Sequence, residues 1–127
     1  MYGSHRNSEA AQRSQERRRR EDEAPRLARE VPRLVSLVME IADSEQGALG
    51  GGDYIRRVVV ESAPALFELV CANKACKNGG HDLTQEIMYS LRAGVARFEG
   101  KDACHGTVGS AACANSLTYV AKATYRP

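Results

Sequence analysis

Residues 71–81 read CANKACKNGGH, and residues 104–113 read CHGTVGSAAC. The four cysteines of the chain all lie in these two stretches, as Cys71 and Cys76 in the first and Cys104 and Cys113 in the second. Zinc at a structural site prefers four tetrahedrally arranged ligands, usually thiolates or imidazoles. Two short loops that each supply a pair of thiolates meet this requirement once folding brings them together. The spacing therefore predicts a structural Zn²⁺ site made by Cys71, Cys76, Cys104 and Cys113.

Both cysteine stretches are rich in small residues, which allow the backbone to wrap an ion and direct amide hydrogens at the sulfurs. Four thiolates around Zn²⁺ leave an excess of negative charge, and neighbouring donors have to stabilise it. Three lysines lie close in sequence and are candidates for this role: Lys74, Lys77 and Lys101.

The ligand set has alternatives at the sequence level. Either His81 or His105 can replace one thiolate, and the site can hold no metal if the cysteines form disulfides instead. The chain has no long apolar run that would span a bilayer and no secretory signal, which favours a cytoplasmic location. In that reducing compartment paired cysteines are more often metal ligands than disulfides.

Charge is concentrated near the N-terminus. Residues 1–30 hold eight Arg and six Asp or Glu, so the net charge of +2 lies in this segment and the rest of the chain is balanced. The segment has no apolar stripe that would hold it on a core. We therefore expect a charged arm over residues 1–32, flexible or helical, followed by a domain over residues 33–127. A run of arginines in this arm is a candidate contact for nucleic acid or an acidic partner: Arg17, Arg18, Arg19 and Arg20.

The pattern after residue 33 changes to that of short strands with one helix. Alternation in LVSLVMEIAD places Val35, Leu37, Met39 and Ile41 on one side of a strand. Further strands are indicated near residues 54–60, 67–70, 96–100 and 116–125. The segment DLTQEIMYSLRAG (82–94) predicts a helix capped by Asp82. The expected fold is α+β: a small antiparallel sheet with one helix inserted between the two cysteine loops.

On its cysteine pairs, the chain resembles the zinc-ribbon class, in which two cysteine-bearing loops at the ends of β-hairpins bind one structural zinc. The resemblance covers residues 66–120 or so. Ribbons usually have two residues between paired cysteines, whereas these loops have four and eight, and the helix is an insertion. The phrases GGHDLT, FEG, CHG and LTYV are also similar to small uncharacterised bacterial zinc-binding proteins, a resemblance that carries no established activity.

The residues around the cysteines do not form a known catalytic zinc pattern. The sequence contains no His-Glu-x-x-His and no Pro-Cys-x-x-Cys grouping, so we expect the chain not to be an enzyme. The balanced charge after the arm favours a protein-interaction or adaptor module that binds its partner through a sheet edge or the tail. Binding of nucleic acid or a ribonucleoprotein through the arginine run is the alternative, and a metal-dependent enzyme is a third. No membrane contact and no small-molecule substrate is predicted.

Overall fold

The computed structural model describes residues 4–44, 53–73 and 75–127. Lys74 and most of the glycine-rich segment, residues 45–52, lie outside the described residues. The described part of the chain forms three helices and eight strands. In chain order they are α1 (Ser4–Glu23), α2 (Leu27–Glu30), β1 (Leu34–Asp43), β2 (Asp53–Val58), β3 (Glu68–Leu69), β4 (His81–Asp82), α3 (Thr84–Arg92), β5 (Arg97–Ala103), β6 (Thr107–Val108), β7 (Ala111–Ala112) and β8 (Ser116–Tyr125).

The largest element is a four-stranded antiparallel sheet in the order β2-β1-β8-β5. Its two central strands are the longest and come from opposite ends of the domain, with Met39 opposite Ala121 and Ile41 opposite Tyr119. Two short hairpins, β3–β4 and β6–β7, complete the strand pairing. The prediction of a mixed fold with a small antiparallel sheet is confirmed.

One face of the sheet is buried, because alternate residues of β1 and β8 are apolar and point to the same side. Helix α3 packs in the same core through Ile87 and Leu91, together with Leu83, which directly precedes the helix. These three residues stand four apart in the sequence. Phe67, which precedes β3, is fully buried beside them. Burial of each such side chain stabilises the fold by about 1.5–3 kcal/mol.

Val35 is an exception to the predicted inward face of β1. The pairing of β1 with β8 is irregular between Leu34 and Ser36, where the strand has one unpaired residue. A β-bulge of this kind reverses the side to which the preceding residues point. Val35 is consequently 47% exposed and Leu34 is buried in its place, so the prediction for Val35 is wrong.

Helix α3 begins one residue later than its sequence suggests. Asp82 belongs to β4, where it pairs with Glu68, and the N-cap position is taken by Leu83. The carboxylate of Asp82 nevertheless accepts a hydrogen bond from the amide of Thr84, at 3.1 Å. Asp82 therefore satisfies one free amide of the first turn without being the N-cap residue.

Helix α1 contacts the domain through its C-terminal half. The guanidinium of Arg20 donates two hydrogen bonds to the carboxylate of Glu68, at 3.2 and 3.0 Å. After α1 the chain enters the core at once, because Leu27 and Val31 are buried there. Within the described ranges, no helix is long and apolar enough to cross a membrane.

Candidate metal centre

The four cysteine sulfurs form one cluster. All four Sγ atoms lie within 4.8 Å of one another. Cys76 Sγ lies 3.6 Å from Cys104 Sγ, and Cys71 Sγ lies 3.8 Å from Cys113 Sγ. Sulfurs about 2.3 Å from a tetrahedral zinc stand about 3.8 Å apart, whereas a disulfide bond measures about 2.05 Å. The cysteines are therefore free thiols whose spacing fits a metal ion.

Two hairpins position the thiols. Cys71 and Cys76 lie in the connection between β3 and β4, while Cys104 follows β5 and Cys113 follows β7. The two loops are joined by a reciprocal backbone pair, in which each amide of Lys77 and Thr107 donates to the carbonyl of the other, at 2.8 and 3.0 Å. The backbone thus holds the loops together independently of any ion.

Amide groups donate hydrogen bonds to two of the sulfurs. The backbone amides of Gly80 and Gly106 point at Cys104 Sγ, at 3.3 and 3.4 Å, and the Asn115 side chain donates to Cys71 Sγ at 3.2 Å. These donors stabilise negative charge on sulfur. The sequence analysis expected lysines to supply this stabilisation.

The structure does not place the lysines in that role. Lys77 and Lys101 are exposed, and in the described part of the chain no lysine is hydrogen-bonded to a cysteine sulfur. Lys74 lies outside the described residues. Backbone amides reach the buried sulfurs more easily because they need no side chain to be desolvated.

Two glycines allow the loops to close around the sulfurs. A Cβ on Gly79 would lie 2.4 Å from Cys76 Sγ and 2.6 Å from Cys104 Sγ, and one on Gly106 would lie 2.5 Å from Cys76 Sγ. No side chain fits at such distances. The sequence indicated only that this stretch is rich in small residues, and the requirement for glycine at position 79 follows from the proximity of the two loops.

The pKa values of the clustered thiols are shifted in different directions, because each thiol has its own burial and its own hydrogen-bond donors. Burial and the neighbouring thiols raise the pKa of Cys76 to about 12, and burial also raises the pKa of Cys71. Burial is also the largest single influence on Cys104 and acts in the same direction, but hydrogen bonds from the amides of Gly106 and Gly80 and from the Cys76 and Cys71 thiols together outweigh it. They lower the pKa of the Cys104 thiol to about 7. Four adjacent thiolates repel one another, so a dication among them would remove the conflict. Such a soft donor set is typical of Zn²⁺ or iron.

Neither candidate histidine belongs to the cluster of four sulfurs. His105 is exposed. His81 is buried, and its Nδ1 lies 2.8 Å from Oδ2 of Asp102, while its Nε2 is buried without a hydrogen-bond partner among the described residues. Sequence reasoning missed Asp102, since nothing local in its strand indicates that β5 passes beside His81.

The prediction that the chain is not an enzyme is wrong. It depended on the absence of the His-Glu-x-x-His and Pro-Cys-x-x-Cys groupings, which would place an acid or base beside the cysteines. The structure instead pairs His81 with Asp102, in the strands that lead directly to and from the cysteine loops, and it lowers the pKa of the Cys104 thiol to about 7. A carboxylate–imidazole pair therefore adjoins the two cysteine loops, and the sequence motifs did not predict it.

The arginine run is divided by its position on α1. Arg20 is bound to Glu68, and Arg17 is half-buried in a cleft of about 410 Å³ that α1 forms with the loop carrying Cys71 and Cys76. Arg18 and Arg19 are exposed. The four arginines therefore do not form one continuous cationic surface.

The fold and the cluster together define a small α+β protein whose four cysteines lie close enough to bind a metal ion. Comparison with known proteins finds no matching family model, no matching curated protein and no matching solved structure. The resemblance to the zinc ribbon therefore remains a prediction from the cysteine pairs.

Proposed function

We propose that this protein is a small protein-interaction module stabilised by a structural Zn²⁺ bound to Cys71, Cys76, Cys104 and Cys113. The observation that carries the proposal is the convergence of all four sulfurs within 4.8 Å. Asn115, Gly80 and Gly106 would stabilise the charge of the bound thiolates.

The short hairpins explain why an ion would matter for stability. Strands β3, β4, β6 and β7 contain two residues each, and two-residue strands supply little cooperative hydrogen bonding of their own. A tetrahedral ion would cross-link both hairpins to the end of the main sheet. Metal binding energy would then be part of the folding energy.

The open face of the main sheet supports a protein partner. Three apolar residues from adjacent strands share this face: Val38, Ile55 and Val120. Paired residues point to the same side of a sheet, and Ile55 and Val120 both pair with Glu40, which lies two residues after Val38 in β1. A groove of about 440 Å³ is lined by residues of β2 and of the two central strands. Glu40 and Lys122 form an exposed ion pair at 3.4 Å on the same face. Apolar residues among mixed charges are typical of protein-binding surfaces.

The metal part of the proposal is tested by native mass spectrometry with elemental analysis of the purified protein. We expect one Zn²⁺ per chain and a loss of zinc, with partial unfolding, in Cys71→Ser. Ala112→Ser is the matched control, because Ala112 is exposed and adjacent to Cys113. A metal-free protein that stays folded with four free thiols would overturn the proposal.

The protein-interaction part is tested by capture of partners on the zinc-loaded protein, followed by nuclease treatment and a high-salt wash. A specific protein partner should survive both steps and be released when Ile55→Lys alters the open face. Nucleic-acid binding would instead fall steeply with salt and depend on Arg18 and Arg19. That outcome would replace the proposed function with the alternative.

A further inference from the structure

Strand β2 ends the main sheet with an open edge. The sheet order places β1 on one side of β2, and within the described residues no other strand pairs with it. The backbone groups on its outer edge are therefore available to another strand. Two large apolar side chains lie along this edge, with Ile55 58% exposed and Tyr54 46% exposed.

The sequence of β2 is complementary to itself in antiparallel pairing. If a two-fold axis normal to the sheet relates the two copies, the open faces of both copies lie on the same side of the combined sheet. Residues that stand opposite each other across the axis must therefore belong to the same face. Pairing with β1 shows that Asp53, Ile55 and Arg57 lie on the open face, with Tyr54 and Arg56 on the core face. Only registers centred on a residue satisfy this condition.

The register centred on Ile55 brings opposite charges together. It places Asp53 opposite Arg57 of the second copy, twice in each dimer, on either side of an Ile55–Ile55 contact. On the other face it places Tyr54 opposite Arg56, a favourable cation–π arrangement. A register centred on Arg56 would oppose two arginines, and one centred on Tyr54 would overlap only three residues of the strand.

We propose that β2 pairs with β2 of a second copy of this chain, centred on Ile55, so that two four-stranded sheets form one continuous sheet of eight strands. This inference deepens the proposed protein-interaction function and rests on it in one respect, since both treat the main sheet as an element that contacts protein. It does not depend on the metal, because β2 contributes no thiol.

The opposite edge of the sheet, β5, is less suited to the same contact. A two-fold register centred on Gly100 would also pair Glu99 with Lys101, but no side chain lies at its centre. It would further place Phe98 opposite Asp102, whose carboxylate is already bound to His81. Of the two edge strands that the structure describes, β2 has an exposed apolar residue between two exposed opposite charges, and β5 does not.

Charge exchange tests the register. Sedimentation equilibrium of the zinc-loaded protein should show a dimer, and Asp53→Arg or Arg57→Asp should each weaken it by roughly tenfold or more, because each change replaces two attractive pairs by two repulsive ones. The double variant Asp53→Arg/Arg57→Asp should restore wild-type affinity. Circular dichroism of each variant verifies that the fold is retained.

Glu99→Lys on β5 is the matched control, as it reverses an exposed charge on the same face at the other edge. It should leave the dimer unchanged. A monomeric wild-type protein, a dimer unaffected by the β2 single variants, or one disrupted by Glu99→Lys would overturn the inference. A monomer that still binds zinc would leave the metal-stabilised module standing, whereas a zinc-free dimer would contradict only the metal proposal.

Discussion

At the residue scale, the cysteines could be named as candidate metal ligands from the sequence because clustered cysteines are rare and their chemistry is specific. The residues that donate hydrogen bonds to the sulfurs could not be identified in this way. Asn115 is an ordinary polar residue in sequence, yet its side chain donates to Cys71 and accepts a hydrogen bond from Ser44 at 2.9 Å. Such a role depends on which strands lie side by side. The sequence does not express that proximity locally.

Gly106→Ala is expected to lower zinc affinity about 10- to 100-fold, as loss of supporting structure around a metal ligand does. The added methyl would lie 2.5 Å from Cys76 Sγ and from the Cα of Gly79, so the two loops would have to separate. Competition with a chromophoric chelator measures the affinity.

Gly109→Asn is the control for this substitution. Gly109 lies in the β6–β7 hairpin with φ 62°, where asparagine is tolerated, and a Cβ there meets nothing within 4 Å. Equal zinc affinity in the Gly106 variant and the wild type would show that the close approach of the loops is not needed for binding.

At the element scale, Tyr119 connects the central strand β8 to helix α3. Its hydroxyl donates to the Glu86 carboxylate at 2.7 Å. We expect Tyr119→Phe to lower the free energy of unfolding by about 1 kcal/mol, the usual net contribution of one hydrogen bond. Urea denaturation followed by circular dichroism measures this loss. An unchanged midpoint would mean that the bond adds nothing to the packing of α3.

The same contact predicts a pH dependence. Burial, and then the hydrogen bond to Glu86, raise the pKa of Tyr119 above its ordinary value of 10.0. Below that pH both folded and unfolded chains keep the proton, so the stabilisation is constant; above it the unfolded chain ionises first, and the stabilisation is lost as pH rises. The difference in unfolding free energy between wild type and Tyr119→Phe should therefore shrink above about pH 10. A difference that grows with pH would contradict this assignment.

Helix α1 is expected to depend on Arg20 for its position. Helices in proteins gain most of their stability from tertiary contacts, and the ion pair of Arg20 with Glu68 connects α1 to the domain. Arg20→Ala should accelerate amide hydrogen exchange in α1 while changing global stability by less than about 1 kcal/mol, because the pair is exposed. Arg19→Ala removes an equal charge from an exposed position and should leave exchange unaltered.

The types of β1, β8 and α3 could be predicted from their own residues, whereas the arm that contains α1 was predicted only as flexible or helical. The alternation of β1 and β8 and the four-residue apolar repeat of α3 are local patterns. The exposure of Val35 and the start of α3 at Thr84 could not be predicted, because a bulge and a competing strand pair set them. Both depend on the partner strand.

At the scale of the whole molecule, zinc should act as a folding ligand. Free Zn²⁺ at about one hundred times its Kd is expected to raise the free energy of unfolding by about 2.7 kcal/mol. This corresponds to roughly 10 °C in Tm for a chain of this size. Differential scanning calorimetry with and without a chelator measures the shift. Mg²⁺, which prefers oxygen ligands, should have no effect, and a Tm unaffected by chelation would exclude a stabilising zinc.

The sequence by itself determined the mixed fold class, the long strands and helix, and the four candidate ligands, because periodicity and cysteine chemistry are properties of short segments. The tertiary structure alone decided that the sulfurs meet across loops as Cys71–Cys113 and Cys76–Cys104. It also decided which glycines and amides support them and which strand is left at an edge. These features follow from contacts between segments far apart in the chain, and such contacts are fixed only when the whole core packs.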